Sequence, residues 1–392
     1  MSGAENTEEG ESLSERLGFA ETIIEFGPLH PGVRHVMTSV GGSASFLVEL
    51  DDDRITGLEV EIGLAHRGFE KQVESGDWAA ALPYVSRLGL ASGVLAETAY
   101  CLAVESLAGL ALPDRAIWLR MLVGELARVS DHWSRLGATM AAIGLQEGAR
   151  VAATGETRAA RALAGATGVG PLEGYVKVGG VSRGLADEFA QGWPTMAVRL
   201  MDELEHFERV AVSNPTCVRR LRDVAPLGVE EALAWGVTGP ALRAAGSSMD
   251  LRRDHPYLAY GALEFDVPIG ENGDGLDRLL VIVEEIRQSL RMVDQCHRLL
   301  VSLGPGRVLS EAAGPGEVAL ARGEVVASVE SSTGELAFLL SSDGTSRLRR
   351  ARCRAPSFFH AQAMPVMLRG ARLDDLLPTA ALLHLISAEH DR

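Results

Sequence analysis

Ten histidines are scattered along the chain, and only His30 and His35 stand close together, in a Gly/Pro-rich turn. Five residues apart, they could face a pocket or cap loop carbonyls, but no third ligand lies nearby to complete a metal site. The four cysteines, Cys101, Cys217, Cys296 and Cys353, are widely separated and form no C-x-x-C pair. Neither a zinc site nor a disulfide framework is indicated, and buried, reduced thiols are expected. There is no G-x-x-x-x-G-K-[ST] and no G-x-S-x-G, and Gly168, Gly170 and Gly174 miss the dinucleotide-binding spacing. By its own residues the chain announces no self-contained enzyme, no resident metal and no nucleotide.

One segment is dense in opposite charge. Leu242 to Arg278 gathers Arg243, Asp250, Arg252, Arg253, Asp254, Asp266, Asp274, Asp277 and Arg278 directly before an apolar helix. Such a stretch is either a solvated surface or a set of paired buried groups that fix an irregular loop against a partner. Asp266-Val267-Pro268 and Gly273-Asp274 supply the turn chemistry that a specifically folded loop requires, which favours the second reading.

The elements that must position these residues change period along the chain. Residues 1–21 form a tail, rich at first in Glu, Ser and Gly, that cannot offset its ordering entropy and is expected to be disordered. Residues 22–75 contain TIIEF, HVMTSV, SFLVEL and GLEVEIG, which predict a small antiparallel sheet. From 76 to 302 the period becomes helical. Trp118, Leu122, Leu126, Val129, Trp133, Leu136 and Met140 form one stripe, opened by Asp114 as N-cap, and Leu279 to Leu300 form another, opened by Asp277. Helices are also expected near 91–110 and 185–210, the latter started or kinked by Pro194. Residues 303–392 begin with a Gly/Pro linker and continue as GEVVASVES, GELAFLLSSDG and LRRARCRAP, a β-rich end. The expected class is α+β, a central long-helix bundle flanked by small sheets.

Composition narrows the roles. With 37 Lys+Arg against 53 Asp+Glu the net charge is −16, which argues against nucleic acid as a partner. No apolar run reaches the roughly 18 residues of a membrane span, so a membrane role must be peripheral. The N-terminus lacks a secretory pattern, and a cytoplasmic chain is expected.

In FGPLHP at Phe26 to Pro31, IGLAHRGFEK at Ile62 to Lys71, LPYVSR at Leu82 to Arg87 and AYCLAVESLAG at Ala99 to Gly109, the chain resembles the D-type component of respiratory complex I, the NADH-quinone oxidoreductase. VGGV at Val178 to Val181, the Arg/Asp-rich segment, SSDG at Ser341 to Gly344 and RAPSF at Arg354 to Phe358 extend the likeness over nearly all of the chain. That fold is shared with the large subunit of nickel-iron hydrogenases. The resemblance implies a subunit that binds no cofactor itself but packs on an iron-sulfur (B-type) subunit that holds the terminal cluster, beside a C-type subunit and the membrane arm. It implies a peripheral place on the cytoplasmic face of the inner (plasma) membrane, with one wall of a quinone site.

The family places an imidazole, a hydroxyl and a carboxylate at that site, where reduction adds two protons with two electrons. Here the matching positions hold Arg34, with His35 one residue late, Leu90 and Ala142. A histidine expected beside the neighbouring cluster falls around Leu172, whereas His30 and Arg87 remain. Leu90 donates no hydrogen bond and Ala142 carries no charge, so the usual contacts cannot form from them. Nickel chemistry is excluded further by the lack of thiolate pairs in HRGF at His66 to Phe69 and AEHDR at Ala388 to Arg392. Two readings follow: a working D-type subunit with altered quinone contacts, or a structural or assembly paralogue that binds no quinone.

Overall fold

The computed structural model describes residues 22–30, 33, 44–89, 92–168, 174–313 and 318–391. Thr22–Phe26 (β1), Ser45–Asp51 (β2) and Arg54–Glu61 (β3) form an antiparallel sheet in that order. Alternation sets its inner face, because Phe46, Val48 and Leu50 of β2 point to one side and are buried. Asp52 adopts a left-handed conformation at φ 55°, which an Asp tolerates in the tight return between β2 and β3. The expected strand HVMTSV lies outside the described residues.

Seven helices of eight or more residues follow among the described residues: Gly93–Ala108 (α1), Asp114–Ala142 (α2), Gln146–Thr167 (α3), Asp187–Phe207 (α4), Gly275–Leu303 (α5), Pro356–Met367 (α6) and Leu376–Leu383 (α7). α2 is the axis of the molecule, packed against α3, α5 and α7, while α4 closes α3 and α5. The apolar stripe of α2 is buried from Leu122 to Met140, with Trp118 half-buried, and most of the opposite face is buried too, from Leu119 to Trp133 without interruption. A helix covered on all sides must pair its polar groups internally, and α2 carries many.

Both expected helix starts shift. Pro113 precedes α2 as the capping residue, and Asp114 lies inside the first turn, where its charge complements the helix dipole. Asp274 caps α5 by accepting from the Asp277 N–H at 2.8 Å. Asp277 instead accepts from the backbone N–H groups of Glu271, Asn272 and Gly273, pinning the end of the Arg/Asp-rich segment. Pro194 sits within α4 rather than at its start.

Between α3 and α4, Val176–Lys177 (β4) and Gly180–Val181 (β5) pair as a miniature hairpin. A Cβ at Gly180 would lie 2.1 Å from the Val308 carbonyl oxygen, so the VGGV stretch needs glycine for close backbone contact. Buried Arg120 reaches the same hairpin through the Lys177 carbonyl at 2.8 Å, and Glu105 accepts from Gly179 N–H at 2.7 Å. Gly323–Glu330 (β6), Glu335–Ser342 (β7) and Leu348–Arg354 (β8) form a second three-stranded antiparallel sheet that packs on α1. They match the three expected strands, but beyond Arg354 the chain is helical through α6 and α7.

Two apolar clusters result. The larger joins α1–α5 to the β6–β8 sheet. The smaller joins Phe46, Val48 and Leu50 of the first sheet to Ala138 near the end of α2 and to Met364, Leu376 and Leu383 of α6 and α7.

Candidate functional site

Along α2, Glu125, Arg128, Asp131, His132, Arg135 and Thr139 follow helical spacing and form a polar seam through the core. All six are buried. Facing them are Arg243, Asp250 and Arg252 of the Arg/Asp-rich segment, Glu285 and Ser289 of α5, and Glu330 to Thr333 at the turn between β6 and β7.

At the first end of the seam, Glu125 accepts from Arg128 Nε at 3.1 Å, Arg252 Nη1 at 3.2 Å, Tyr260 at 2.7 Å and Ser289 at 2.7 Å. Burial alone would raise its pKa, but the two guanidinium groups and the hydroxyl donors hold it down at about 2. Arg252 also forks onto Asp250, at 3.0 and 2.7 Å. Arg243 bonds Glu285 through Nε at 2.9 Å and Glu330 through Nη1 at 2.8 Å. The paired-charge reading of the segment therefore holds for Arg243, Asp250 and Arg252, and their partners are other elements of the same chain. Arg253, Asp254 and Asp266 are exposed.

His132 Nε2 lies 2.8 Å from Glu285 Oε2. Burial pushes the His132 pKa down to about 4 despite this contact. The ring is then neutral at pH 7, with Nε2–H donating to the ionised Glu285 and Nδ1 left as a buried acceptor without a partner.

The second end of the seam reaches the C-terminal segment. Arg128 donates to the carbonyls of Glu330 and Ser331, both at 2.7 Å, and Arg135 to that of Ser332 at 2.8 Å. The Ser332 hydroxyl donates to Asp131, whose Oδ2 stands 3.3 Å from His384 Nε2. Glu389 accepts from the Ser357 hydroxyl at 2.6 Å and from the Thr333 hydroxyl at 3.2 Å. Burial, reinforced by the Asp131 charge, raises Glu389 to about 7 against these hydrogen bonds. The last described residue, Asp391, accepts from the Gly63 and Ala65 N–H groups at 2.6 and 2.8 Å. Asp391 thus ties the C-terminal segment to the stretch just before HRGF, and its carbonyl meets His66 Nδ1 at 3.1 Å.

The sequence-derived positions fall around this core. Ala142 is the last residue of α2, half-buried against the smaller apolar cluster, and the helix ends there without a carboxylate. Arg87 is exposed just beyond a short helix at Leu82–Val85, and its Nη1 donates to the Pro83 carbonyl at 2.5 Å. His30 is exposed and meets the Phe26 ring edge-on, with centroids 4.9 Å apart. Arg34, His35, Leu90 and Leu172 lie outside the described residues. No cluster of His, Cys, Asp or Glu suited to a metal exists among the described residues, and the four cysteines are buried.

The architecture is that of an α+β chain with a helical core between two small sheets, the class of the hydrogenase large-subunit-like folds. One solved structure, of the membrane-bound sulfane sulfur reductase, an archaeal respiratory membrane complex, contains a chain that superposes with a TM-score of 0.86 at 29% identity, covering 95% of this chain and 98% of that one. The family model of the respiratory-chain NADH dehydrogenase 49 kDa subunit matches residues 158–314 and 315–392. The second D-type NADH-quinone oxidoreductase subunit of Anaeromyxobacter sp. (strain K) is 32% identical over 94% of this chain and 88% of its own length. A fused C/D-type NADH-quinone oxidoreductase subunit of Ectopseudomonas mendocina (strain ymp) is also 32% identical, and the chain spans 65% of that protein's length. The chain belongs to the 49 kDa, or D-type, subunit family of respiratory NADH dehydrogenases.

Proposed function

We propose that the chain is a D-type subunit of a complex-I-like oxidoreductase whose acceptor site has lost its usual quinone contacts. It packs on an iron-sulfur subunit, holds no cofactor of its own and forms one wall of the acceptor pocket. Arg87, exposed beyond Leu82–Val85, faces the cluster-bearing neighbour. The observation that carries the altered chemistry is Ala142, since an α2 that ends in alanine offers no carboxylate to orient an imidazole. A C-type neighbour is supported by the fused C/D-type relative, of which this chain matches about two thirds. No described helix is long and apolar enough to cross a membrane, and attachment through membrane-arm subunits, on the cytoplasmic face, fits such a chain.

Loss of those contacts also supports a second reading, in which the chain is a structural or assembly component that binds no quinone. The two separate in the assembled complex. The triple variant Arg34→His, Leu90→Tyr, Ala142→Asp restores the family's polar groups. The altered-site reading expects quinone reduction to change at least about tenfold in kcat/KM. Unchanged kinetics, with no protection of the pocket by a quinone analogue, would favour the structural reading.

A further inference from the structure

Two carboxylates of α1 hold the β4–β5 hairpin against that helix. Glu97 accepts from the Val176 N–H at 3.0 Å, and Glu105, further along the same stripe, accepts from the Gly179 N–H at 2.7 Å. Both are buried, but their charges are balanced differently. Arg120 forks onto Glu105, with Nη1 at 2.9 Å. Glu97 makes no ion pair among the described residues, and the cation that faces it is Lys177 of β4, which is half-buried. A buried carboxylate without a guanidinium is the costlier of the two to keep charged. Burial raises the Glu97 pKa above its ordinary value, against its hydrogen bonds from Ser86 and Val176 and the charge of Lys177.

Its second tie reaches another segment. The Ser86 hydroxyl donates to Glu97 at 2.6 Å, and the same oxygen lies 2.9 Å from the Leu82 carbonyl. Ser86 follows the short helix Leu82–Val85 and directly precedes Arg87. Glu97 thus joins the stretch that carries Arg87 to a hairpin far away in sequence. The other titratable group beside it is Cys101, one turn along α1, whose thiol burial pushes well up. Past Cys101 stands the Glu105–Arg120 pair.

The two ties respond differently to a proton. A neutral carboxyl bonds Ser86 as a donor while the hydroxyl turns to the Leu82 carbonyl, so that contact survives with its direction reversed. The Val176 N–H only donates, and it exchanges an ionised acceptor for a neutral one, while Lys177 loses the charge it faces. One proton therefore loosens the start of the hairpin and spares the Ser86 contact.

We propose that Glu97 is a positioning residue for electron delivery to the acceptor: ionised, it holds the β4–β5 hairpin and the segment that carries Arg87 as one unit, and protonated, it loosens the hairpin at Val176. The step is a simple protonation, in which the carboxylate takes one proton from solvent and nothing changes oxidation state. Glu105 and Arg120 keep the turn of the hairpin in place in both states. This inference rests on the D-type reading, which turns Arg87 toward the cluster-bearing neighbour.

Hydrogen exchange and electron transfer, both measured on the complex purified through this chain, test it. Across about pH 5 to 8, exchange at the hairpin, corrected for the chemical rate, should quicken on acidification by about fivefold. The rate at which a ubiquinone analogue discharges the dithionite-reduced cluster should fall along the same one-proton curve. Glu97→Gln, a neutral isostere, should behave as the acid form at every pH and show no curve. Should that variant fail to assemble, Ser86→Ala removes the 2.6 Å donor and should move both curves up by about one pH unit. A native hairpin without such a curve, or a curve that Glu97→Gln leaves in place or Ser86→Ala leaves unmoved, would overturn the hold. A hairpin that loosens while discharge stays level would overturn its part in electron delivery. A reduced cluster that no quinone discharges at any pH removes the D-type reading, and the electron-delivery role with it, while the exchange curve still decides the hold.

Discussion

Glu125 shows what a single residue does in this core, since it balances two buried guanidinium groups and two hydroxyls at once. Glu125→Gln leaves Arg128 without its counter-charge and Arg252 with Asp250 alone, and should cost about 3–5 kcal/mol, read as a shifted denaturation midpoint. A loss under about 1 kcal/mol would mean that the seam is hydrated and weakly coupled. Protonation supplies a second test with a fixed sign. Glu389 binds its proton more tightly folded than unfolded, about 7 against 4.5, so its contribution is complete below 4.5 and fades as pH rises through 7. Relative to the native chain, Glu389→Gln should gain about 3 kcal/mol between pH 4 and pH 8. His132 runs the other way, with its contribution complete above 6.5 and lost as pH falls toward 4. His132→Gln should therefore flatten the acid limb of the same curve. The sequence made Arg243, Asp250 and Arg252 conspicuous by their density, but not Glu125, Arg128, Asp131, His132 and Arg135. Those repeat at helical spacing on a helix whose sequence shows a single apolar stripe. The signal that could have found them is the row of Met121, Val123 and Ala127 among them, which leaves α2 no purely polar side.

Elements were legible where periodicity was strong and misplaced where capping decided the boundary. The stripes from Trp118 to Met140 and from Leu279 to Leu300 locate α2 and α5 almost entirely. The start of α5 moved because Asp274 uses one oxygen for the helix and the other, at 2.7 Å, for the Asp223 N–H, a long-range partner that no local pattern reveals. The helices after Arg354 were missed because α6 and α7 are apolar over much of their surface and offer no alternation to read. Close approach of elements gives a prediction at this scale. A Cβ at Gly155 of α3 would lie 2.5 Å from the Trp133 ring of α2. Gly155→Ala must push these two packed helices apart and should destabilise the chain by about 1–3 kcal/mol, despite the better helix propensity of alanine. A neutral or stabilising effect in thermal denaturation would show that the α2–α3 contact is looser than described.

At the scale of the whole molecule, a dense internal charge network is joined to a surface that leaves apolar side chains uncovered. Leu299, Val301 and Leu303 at the end of α5 are between 37% and 57% exposed, and Leu309 in the loop beyond is 40% exposed. Exposed large apolar side chains gathered at one end of a helix are expected on a subunit that meets neighbours. The family membership, with 94% of the chain aligned to a D-type relative, makes it a subunit with neighbours, and the function proposed above puts an iron-sulfur subunit beside Arg87 and an acceptor pocket at the end of α2. What the sequence could not convey is the seam itself, because it is assembled from residues far apart in the chain, such as Asp131 and Ser332, which stand 201 positions apart. The direct test is electron transfer by the native assembly purified through this chain, with ubiquinone and menaquinone analogues as acceptors and the cluster followed by electron paramagnetic resonance. The account predicts a cluster-bearing partner in equal amount, with its reduced signal discharged by a quinone. A chain that purifies alone and monodisperse, or an intact assembly whose reduced cluster no quinone discharges, would contradict it.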